Sequence, residues 1–162
     1  MRDCQLRLAR IGEAASLAQM SRALIETGLA HSWTAARIAR HIQHPESVVL
    51  TAQVARDPAG FAVMQFADDS AHLNLLAVEA PHRRHGIARA LVNWLEETAR
   101  TAGTFVVALE LRATSGAAYA FYSALGYRET GRVPGYYQGV EEAIRMARDL
   151  RVDCGVTGAP KC

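Results

Sequence analysis

The sequence has 162 residues, of which 50% are hydrophobic and 21% are charged, so it suits one globular domain with a substantial core. The net charge of +2 is too small to indicate nucleic-acid binding by itself, and no run of like charges is long enough to form a basic arm. Its apolar stretches are shorter than the roughly 20 residues of a membrane helix, and MRDCQLRLAR lacks the apolar core of a signal peptide. We therefore expect a cytoplasmic protein with no membrane and no nucleic-acid partner.

The three cysteines, Cys4, Cys154 and Cys162, are odd in number, far apart and without CxxC spacing. This arrangement favours neither a disulfide framework nor a zinc site. We expect three free thiols and no bound metal.

The N-terminal third predicts one strand and two helices. Residues Cys4–Leu8 alternate as a short strand. Residues 14–27 carry apolar side chains at helical spacing, with Gly28 beyond their end. A second helix is expected to start near Ser32 and to stop at His44 and Pro45. The link at residues 28–33 is a candidate substrate-side loop.

The middle of the chain predicts three strands and a long helix. Strands at residues 47–55 and 61–67 are joined across turn residues at 56–60, and a third strand at 72–78 follows a further turn. The helix after it ends at Gly103. The residues expected on its inner face recur at helical spacing, namely Ile87, Leu91, Trp94, Leu95 and Thr98. The residues expected on its other side are polar, namely Arg89, Asn93, Glu96 and Arg100.

The next segment predicts a buried strand and a helix. Residues 105–111 form a hydrophobic run that one carboxylate, Glu110, interrupts. Thr114 or Ser115 can cap the following helix, and Gly126 closes it.

The last part of the chain is less regular. Residues 127–133 alternate as a strand, residues 134–139 form a turn-rich loop, and residues 142–148 fit a strand or a helix. We expect one domain over residues 1–150 and a disordered tail over 151–162.

A candidate ligand site lies where the apolar residues 75–78 lead through a loop into the helix that opens with residues 83–88, RRHGIA. The first N–H groups of a helix have no intrahelical partner, and the helix dipole adds positive charge, so such a turn suits a phosphate. Arg84 and His85 add charge, and Gly86 permits close approach of a ligand. We predict a pyrophosphate-binding turn; the alternative is a solvated basic loop.

This order of elements predicts a mixed α/β layer, in which ligands bind at strand ends. The phosphate-binding turn and Glu110 on the following strand are therefore expected to face one crevice.

The motif at residues 83–88 matches the R/Q-x-x-G-x-G/A pattern of the Gcn5-related N-acetyltransferase (GNAT) superfamily. Residues 109–127, LELRATSGAAYAFYSALGY, resemble the RimI-type ribosomal-protein-alanine N-acetyltransferases, as do Tyr136-Tyr137 and the EEAIRM run at 141–146. The resemblance covers residues 75–146, and the N-terminal part matches in element order alone. Ser115 stands where this branch usually has asparagine.

The resemblance implies a GNAT-like mixed, mostly antiparallel sheet flanked by helices, with acetyl-CoA as cosubstrate. It assigns the role of general base to Glu110 and of general acid to Tyr122. It also implies that the cofactor strand splays from its neighbour. The cofactor-binding residues that it implies are Leu76, Ala77, Val78, Arg83, Arg84, His85, Gly86, Ile87, Ala88, Arg89, Ser115, Ala118 and Phe121.

The chemistry explains these residue types. An amine attacks a thioester only when it is neutral, so a carboxylate must take its proton. A tyrosine, with an ordinary pKa of about 10, stays protonated at neutral pH and can donate to the departing thiolate. Candidate acceptor contacts are Trp33, Tyr136 and Tyr137, although Trp33 also suits the core.

Several alternatives stay open at this point. Glu110 can be a paired acid with Arg112 or Arg128, and Tyr122 can be a core aromatic. The acceptor can be a protein or peptide N-terminal α-amine, or a small amine or lysine. A third hypothesis is a non-catalytic acetyl-CoA-binding module. The chain is expected to be a monomer or a homodimer.

Overall fold

The computed structural model describes residues 3–152. The strands are β1 (Cys4–Leu8), β2 (Ser47–Val54), β3 (Asp57–Phe66), β4 (Ser70–Val78), β5 (Val106–Arg112), β6 (Arg128–Tyr137) and β7 (Glu141–Asp149). The helices are α1 (Ala14–Leu24), α2 (Ala35–Gln43), α3 (Ile87–Thr101) and α4 (Gly116–Ala124), with short 3₁₀ helices at Ile11–Glu13 and Ala80–His82.

The seven strands lie in the order β1-β2-β3-β4-β5-β7-β6. Strand β4 runs parallel to β5, and this register extends from Ser70 opposite Val106 to Leu73 opposite Leu109. The pairs β1–β2, β2–β3, β5–β7 and β6–β7 are antiparallel. The predicted mixed, mostly antiparallel sheet is therefore confirmed.

The described residues form two compact units. The first comprises residues 3–65 and 74–95, and in it α1 and α2 contribute to a hydrophobic core that includes Leu17, Ile38 and Phe61. The second comprises residues 66–73 and 96–152, and its β5 and β7 bury the side chains of Leu109 and Met146.

The two N-terminal helices are shorter than predicted. Helix α1 ends at Leu24, and α2 begins after Thr34, whose hydroxyl accepts a hydrogen bond from the Arg37 N–H at 3.2 Å. The prediction that α2 starts near Ser32 is wrong because the N–H and hydroxyl of Ser32 donate to the Glu26 carboxylate instead.

The turn between β2 and β3 lies earlier than predicted. It consists of Ala55 and Arg56, with φ of 51° and 72°, and residues 57–60 belong to β3. A two-residue turn with positive φ matches the twist of the strands that it joins. An irregularity at Ala52 and Gln53 accommodates the shifted register, with Pro58 opposite Gln53.

Helix α3 buries most of the predicted face, but Trp94 and Glu96 exchange sides. Ile87, Leu91 and Leu95 are buried as expected, but Trp94 is 37% exposed and Glu96 only 2% exposed. Glu96 tolerates burial because the Tyr127 hydroxyl and Arg148 Nη1 each donate to its carboxylate at 2.9 Å.

The last two elements form an antiparallel pair. Strand β6 extends to Tyr137, so most of the predicted loop at residues 134–139 is strand, and the turn lies at Gln138 and Gly139, with φ of 58° and 73°. Proline is tolerated here because β6 lies at the sheet edge and its register shifts after Val133. The strand prediction for residues 142–148 is confirmed, and the helical alternative is wrong.

Cys4 is a free thiol whose pKa is raised by burial. Cys154 and Cys162 lie outside the described residues, as does most of the predicted disordered tail. Within residues 3–152, no helix is long and apolar enough to cross a membrane.

Candidate active site

The predicted phosphate-binding turn leads from β4 into α3. Arg84 and Gly86 adopt left-handed backbone conformations, with φ of 65° and 80°. A Cβ at Gly86 would meet no atom within 4 Å, so the backbone conformation rather than space favours glycine. The Ala90 N–H donates to the Gly86 carbonyl at 3.0 Å, which starts the helix.

The side chains of this turn divide between solvent and core. Ile87 is 4% exposed and anchors the helix start. The charged residues and Gly86 lie at the surface, namely Arg83, Arg84, His85, Gly86 and Arg89, whereas Ala88 is half-buried. Arg83 Nε donates to the Val78 carbonyl at 3.0 Å, which ties the turn to the end of β4. The α3 amides and exposed cations therefore suit an anionic ligand.

Strand β4 presents two different faces. Leu75 and Ala77 are buried, whereas Leu76 and Val78 are half-buried on the opposite face. On that half-buried face, the Asn74 Oδ1 atom is buried and has no hydrogen-bond partner among the described residues. A buried acceptor of this kind needs a donor, and an amide-bearing ligand along β4 would supply one.

Glu110 lies on β5 at the centre of a polar cluster within the second unit. Nε2 of His72 lies 2.6 Å from Glu110 Oε1, and the Tyr136 hydroxyl donates to the same oxygen at 3.1 Å. Arg145, directly opposite Glu110 on β7, places its Nε 3.5 Å from Oε2. The carboxylate is therefore held by side chains from β4, β6 and β7.

This environment keeps Glu110 ionised. The hydrogen bond from His72 is the main cause that lowers the pKa of the Glu110 carboxyl, and it outweighs the opposing effect of burial. The Tyr136 hydroxyl and the positive charge of Arg145 lower this pKa further. Arg112, an alternative partner for Glu110, forms a bidentate pair with Glu141, with Nε 2.6 Å from Oε2.

Tyr122 lies on α4, whose first turn is capped by Ser115. The Ser115 hydroxyl accepts a hydrogen bond from the Ala118 N–H at 3.3 Å. The Tyr122 ring is 8% exposed and packs edge-on against Phe121 and Tyr127, with centroids 5.0 and 5.6 Å apart. Burial raises the pKa of the Tyr122 hydroxyl well above its usual range, so this group stays protonated.

The two predicted acceptor tyrosines lie at the end of β6. Tyr136 is 41% exposed, and its ring meets that of Tyr137 edge-on, with centroids 5.0 Å apart. Burial raises the pKa of the Tyr137 hydroxyl. The structure thus brings Tyr136 to Glu110, which the sequence pattern did not indicate.

Trp33 lies in the core cluster of the first unit and is 8% exposed. Its ring stacks with the Arg37 guanidinium, 3.8 Å from the ring centroid. The preceding loop is held by Glu26, whose carboxylate accepts hydrogen bonds from the Ser21 hydroxyl and the Ser32 and Trp33 N–H groups. The placement of Trp33 agrees with the core alternative.

His72 and Arg145 are the site residues that the sequence reasoning missed. The one signal was a histidine that interrupts an apolar strand beside the strand of Glu110. Within residues 3–152, no group of three or more His, Cys, Asp or Glu side chains could hold a metal.

Comparisons with known proteins agree with these observations. The family model described as acetyltransferase (GNAT) domain matches residues 16–150. The [ribosomal protein bS18]-alanine N-acetyltransferase of Salmonella typhimurium is 39% identical over 92 residues, which cover 55% of this chain and 62% of that enzyme. The N-terminal acetyltransferase B complex catalytic subunit naa20 of Schizosaccharomyces pombe is 38% identical over 80 residues, covering 49% of this chain and 44% of that protein.

Solved structures extend the similarity over most of the chain. The ribosomal-protein-S18-alanine N-acetyltransferase of Escherichia coli superposes with a TM-score of 0.80 at 26% identity, covering 91% of this chain and 94% of that chain. Ard1 of Thermoplasma volcanium gives a TM-score of 0.80 at 28% identity, covering 91% and 97%. Because the family model matches most of the chain and the fold agrees with it, the chain belongs to the GNAT acetyltransferase family.

Proposed function

We propose that this protein is an N-acetyltransferase that moves the acetyl group of acetyl-CoA to a primary amine, with a protein N-terminal α-amine as the favoured acceptor. The observation that carries the proposal is the Glu110 carboxylate, held ionised by His72, Tyr136 and Arg145 at the position that the GNAT resemblance assigns to the base. A carboxylate fixed in this way can accept a proton from an incoming amine.

Acetyl-CoA fits the first unit. The amides at the start of α3 and the exposed Arg84 and Arg89 would hold the pyrophosphate. Leu76 and Val78 would line the pantetheine arm, and Asn74 Oδ1 offers it an acceptor. Bound acetyl-CoA supplies the acetyl group as an activated thioester.

The chain's own residues carry the proton transfers. Glu110 takes the proton of the acceptor amine, directly or through water. Tyr122 donates its hydroxyl proton to the sulfur that leaves. Burial raises the pKa of the Tyr122 hydroxyl, so this group carries its proton at neutral pH and is available as a donor.

The preference for an α-amine acceptor is based on the basicity of amines. An α-amine has an ordinary pKa of about 7.7 to 8.0 and a lysine about 10.4, so reaching the neutral form at pH 7 costs roughly 1 kcal/mol for the first and over 4 for the second. One carboxylate base therefore serves an α-amine more easily. Relatives named for ribosomal-protein-alanine and N-terminal acetylation support the same choice. We propose that Tyr136 and Tyr137 contact the first residues of the acceptor.

Two alternative functions differ from the proposed one in specific features. A GNAT enzyme for a small amine or lysine would share the cofactor site and differ in its acceptor contacts. A non-catalytic acetyl-CoA-binding module would not need the proton acceptor and donor, which Glu110 and Tyr122 provide. We further propose that residues 1–150 act as one acetyltransferase domain, as a monomer or homodimer.

Steady-state kinetics with acetyl-CoA test the proposal. The substrates are peptides with free or blocked N-termini, spermidine and free lysine, and release of the CoA thiol is followed with DTNB. We expect the free-N-terminus peptide to have the highest kcat/KM. A better kcat/KM for the blocked peptide or the polyamine would replace the α-amine by a lysine or small-amine acceptor. Acetyl-CoA binding without turnover of any amine would favour the non-catalytic module.

A further inference from the structure

His72 and Glu110 form a short polar contact that sequence reasoning did not anticipate. The parallel register sets His72 opposite Ala108, so Glu110, two residues further along β5, lies on the same face. The two side chains meet at 2.6 Å. The His72 side chain is 38% exposed and that of Glu110 is 12% exposed, so the imidazole is the member of the pair that is more open to solvent.

The side chains around the His72–Glu110 pair stabilise the ionised form of the Glu110 carboxyl group. Tyr136 donates to Glu110 from β6, and Arg145 faces it from β7. The charge of Glu110 also helps to raise the pKa of the neighbouring Tyr137. The carboxyl group is thereby a weaker proton acceptor than an ordinary glutamate, whose pKa is about 4.3.

Proton affinities then favour the imidazole. Transfer from an α-ammonium, with an ordinary pKa of about 7.7 to 8.0, to such a carboxylate is unfavourable by more than about 10³-fold. Transfer to an imidazole, with an ordinary pKa of about 6.5, is unfavourable by roughly 10- to 30-fold. An adjacent carboxylate stabilises the resulting imidazolium, as in the Asp–His pairs of hydrolases.

We propose that the proton of the acceptor amine comes to rest on the imidazole of His72, so that the base is the Glu110–His72 pair rather than Glu110 alone. This inference rests on the proposed transfer to an amine. One N–H bond of the acceptor ammonium breaks, and one N–H bond forms on the ring nitrogen that carries no proton in neutral His72. The imidazolium beside the Glu110 carboxylate later releases that proton to solvent.

The variant His72→Gln tests the pair, because an amide can donate to Glu110 and cannot take up a proton between about pH 5 and 9. We expect kcat on a free-N-terminus peptide to fall roughly tenfold or more at pH 7, with the KM for acetyl-CoA nearly unchanged. The loss should shrink as the pH rises and the acceptor becomes neutral by itself. His44→Gln, at an exposed histidine after α2, is the matched control and should leave kcat unchanged.

Chemical rescue separates proton transfer from hydrogen bonding. Added imidazole should restore part of the kcat of a folded His72→Ala variant, in proportion to its free-base concentration. A wild-type rate and pH profile in His72→Gln would overturn the proposal, and so would a slow, folded His72→Ala variant that imidazole does not accelerate.

An NMR titration of the His72 ring needs no acceptor substrate. In Glu110→Gln the ring signals, assigned by their loss in His72→Gln, should titrate at lower pH than in the wild type, because an amide stabilises imidazolium less than a carboxylate does. An unchanged midpoint of the His72 titration would contradict the proposed Glu110–His72 pair even if the enzyme is active. A shifted midpoint in a protein that acetylates no amine would support the pair and refute the proposed function.

Discussion

Tyr122 combines a buried ring with a hydroxyl that stays protonated, because burial raises its pKa. Tyr122→Phe keeps the edge-on packing with Phe121 and Tyr127 and removes only the proton donor. We expect kcat to fall roughly 10²-fold or more while the fold is preserved, as measured by steady-state kinetics and circular dichroism.

Tyr119 provides the control for this change. It lies on the same helix, α4, and its hydroxyl contacts Glu129 at the surface. Tyr119→Phe should keep a wild-type kcat. If Tyr122→Phe is folded and equally active, Tyr122 is a core aromatic and another group protonates the thiolate.

At the scale of single residues, the sequence and its resemblance named Glu110 and Tyr122 as candidates but not their surroundings. Periodicity alone gives Glu110 a place on a strand, and it cannot say that His72 lies 2.6 Å away. It also placed Glu96 on the solvent side of α3, because a charged residue is usually exposed, whereas Tyr127 and Arg148 allow this carboxylate to be buried.

At the scale of the element, the start of α3 is expected to hold the phosphates of acetyl-CoA. Gly86→Glu forces a side chain into a left-handed conformation, with φ of 80°, and adds a negative charge at the helix start. We expect the Kd for acetyl-CoA to rise about tenfold or more in isothermal titration calorimetry.

The control lies at the other end of the same helix. Gly103 has a φ of 79° and, like Gly86, no atom within 4 Å of an added Cβ. Gly103→Glu therefore introduces the same kind of backbone strain away from the phosphates. Similar losses of affinity in both variants would attribute the effect to strain in α3, and an unchanged Kd in Gly86→Glu would exclude this turn as the binding site.

The helices and strands themselves were largely predictable, since periodicity and turn residues are local signals. The boundaries of these helices and strands were less predictable. Ser32 looks like a helix cap, yet it donates to Glu26, and Thr34 caps α2 in its place. The β2–β3 turn moved to Ala55 and Arg56, because two strands paired in register decide where the chain reverses.

At the scale of the whole molecule, carboxylates set the response of stability to acid. Burial raises the pKa of Glu26, but hydrogen bonds from Ser32, Ser21 and Trp33 more than offset this, and the folded-state pKa is lowered. A lowered folded pKa contributes stability that is complete above the unfolded value of about 4.3 and is lost as the pH falls through the folded value.

Glu26→Gln tests this contribution. At pH 7 the variant should lose about 1–3 kcal/mol of unfolding free energy, because an amide accepts these hydrogen bonds less well than a carboxylate. Between about pH 5 and 3 its stability should fall less steeply than that of the wild type. Urea unfolding at a series of pH values measures both effects. The control Glu46→Gln, at an exposed position, should show the same dependence of stability on pH as the wild type. If stability falls equally steeply in Glu26→Gln and in the wild type, Glu26 does not carry the acid response.

By itself, the sequence determined the order of the strands and helices along the chain, the mixed α/β class and the turn that opens α3, because spacing, caps and glycines act over a few neighbouring residues. The family resemblance added the mostly antiparallel sheet and the candidate base and acid. Only the tertiary structure decided which side chains meet. Glu110 is held by His72, Tyr136 and Arg145, which are distant in sequence, and their contact depends on strand order and register. Those long-range pairings are absent from any local pattern, so the partners that set the basicity of Glu110 emerge only when the sheet is assembled.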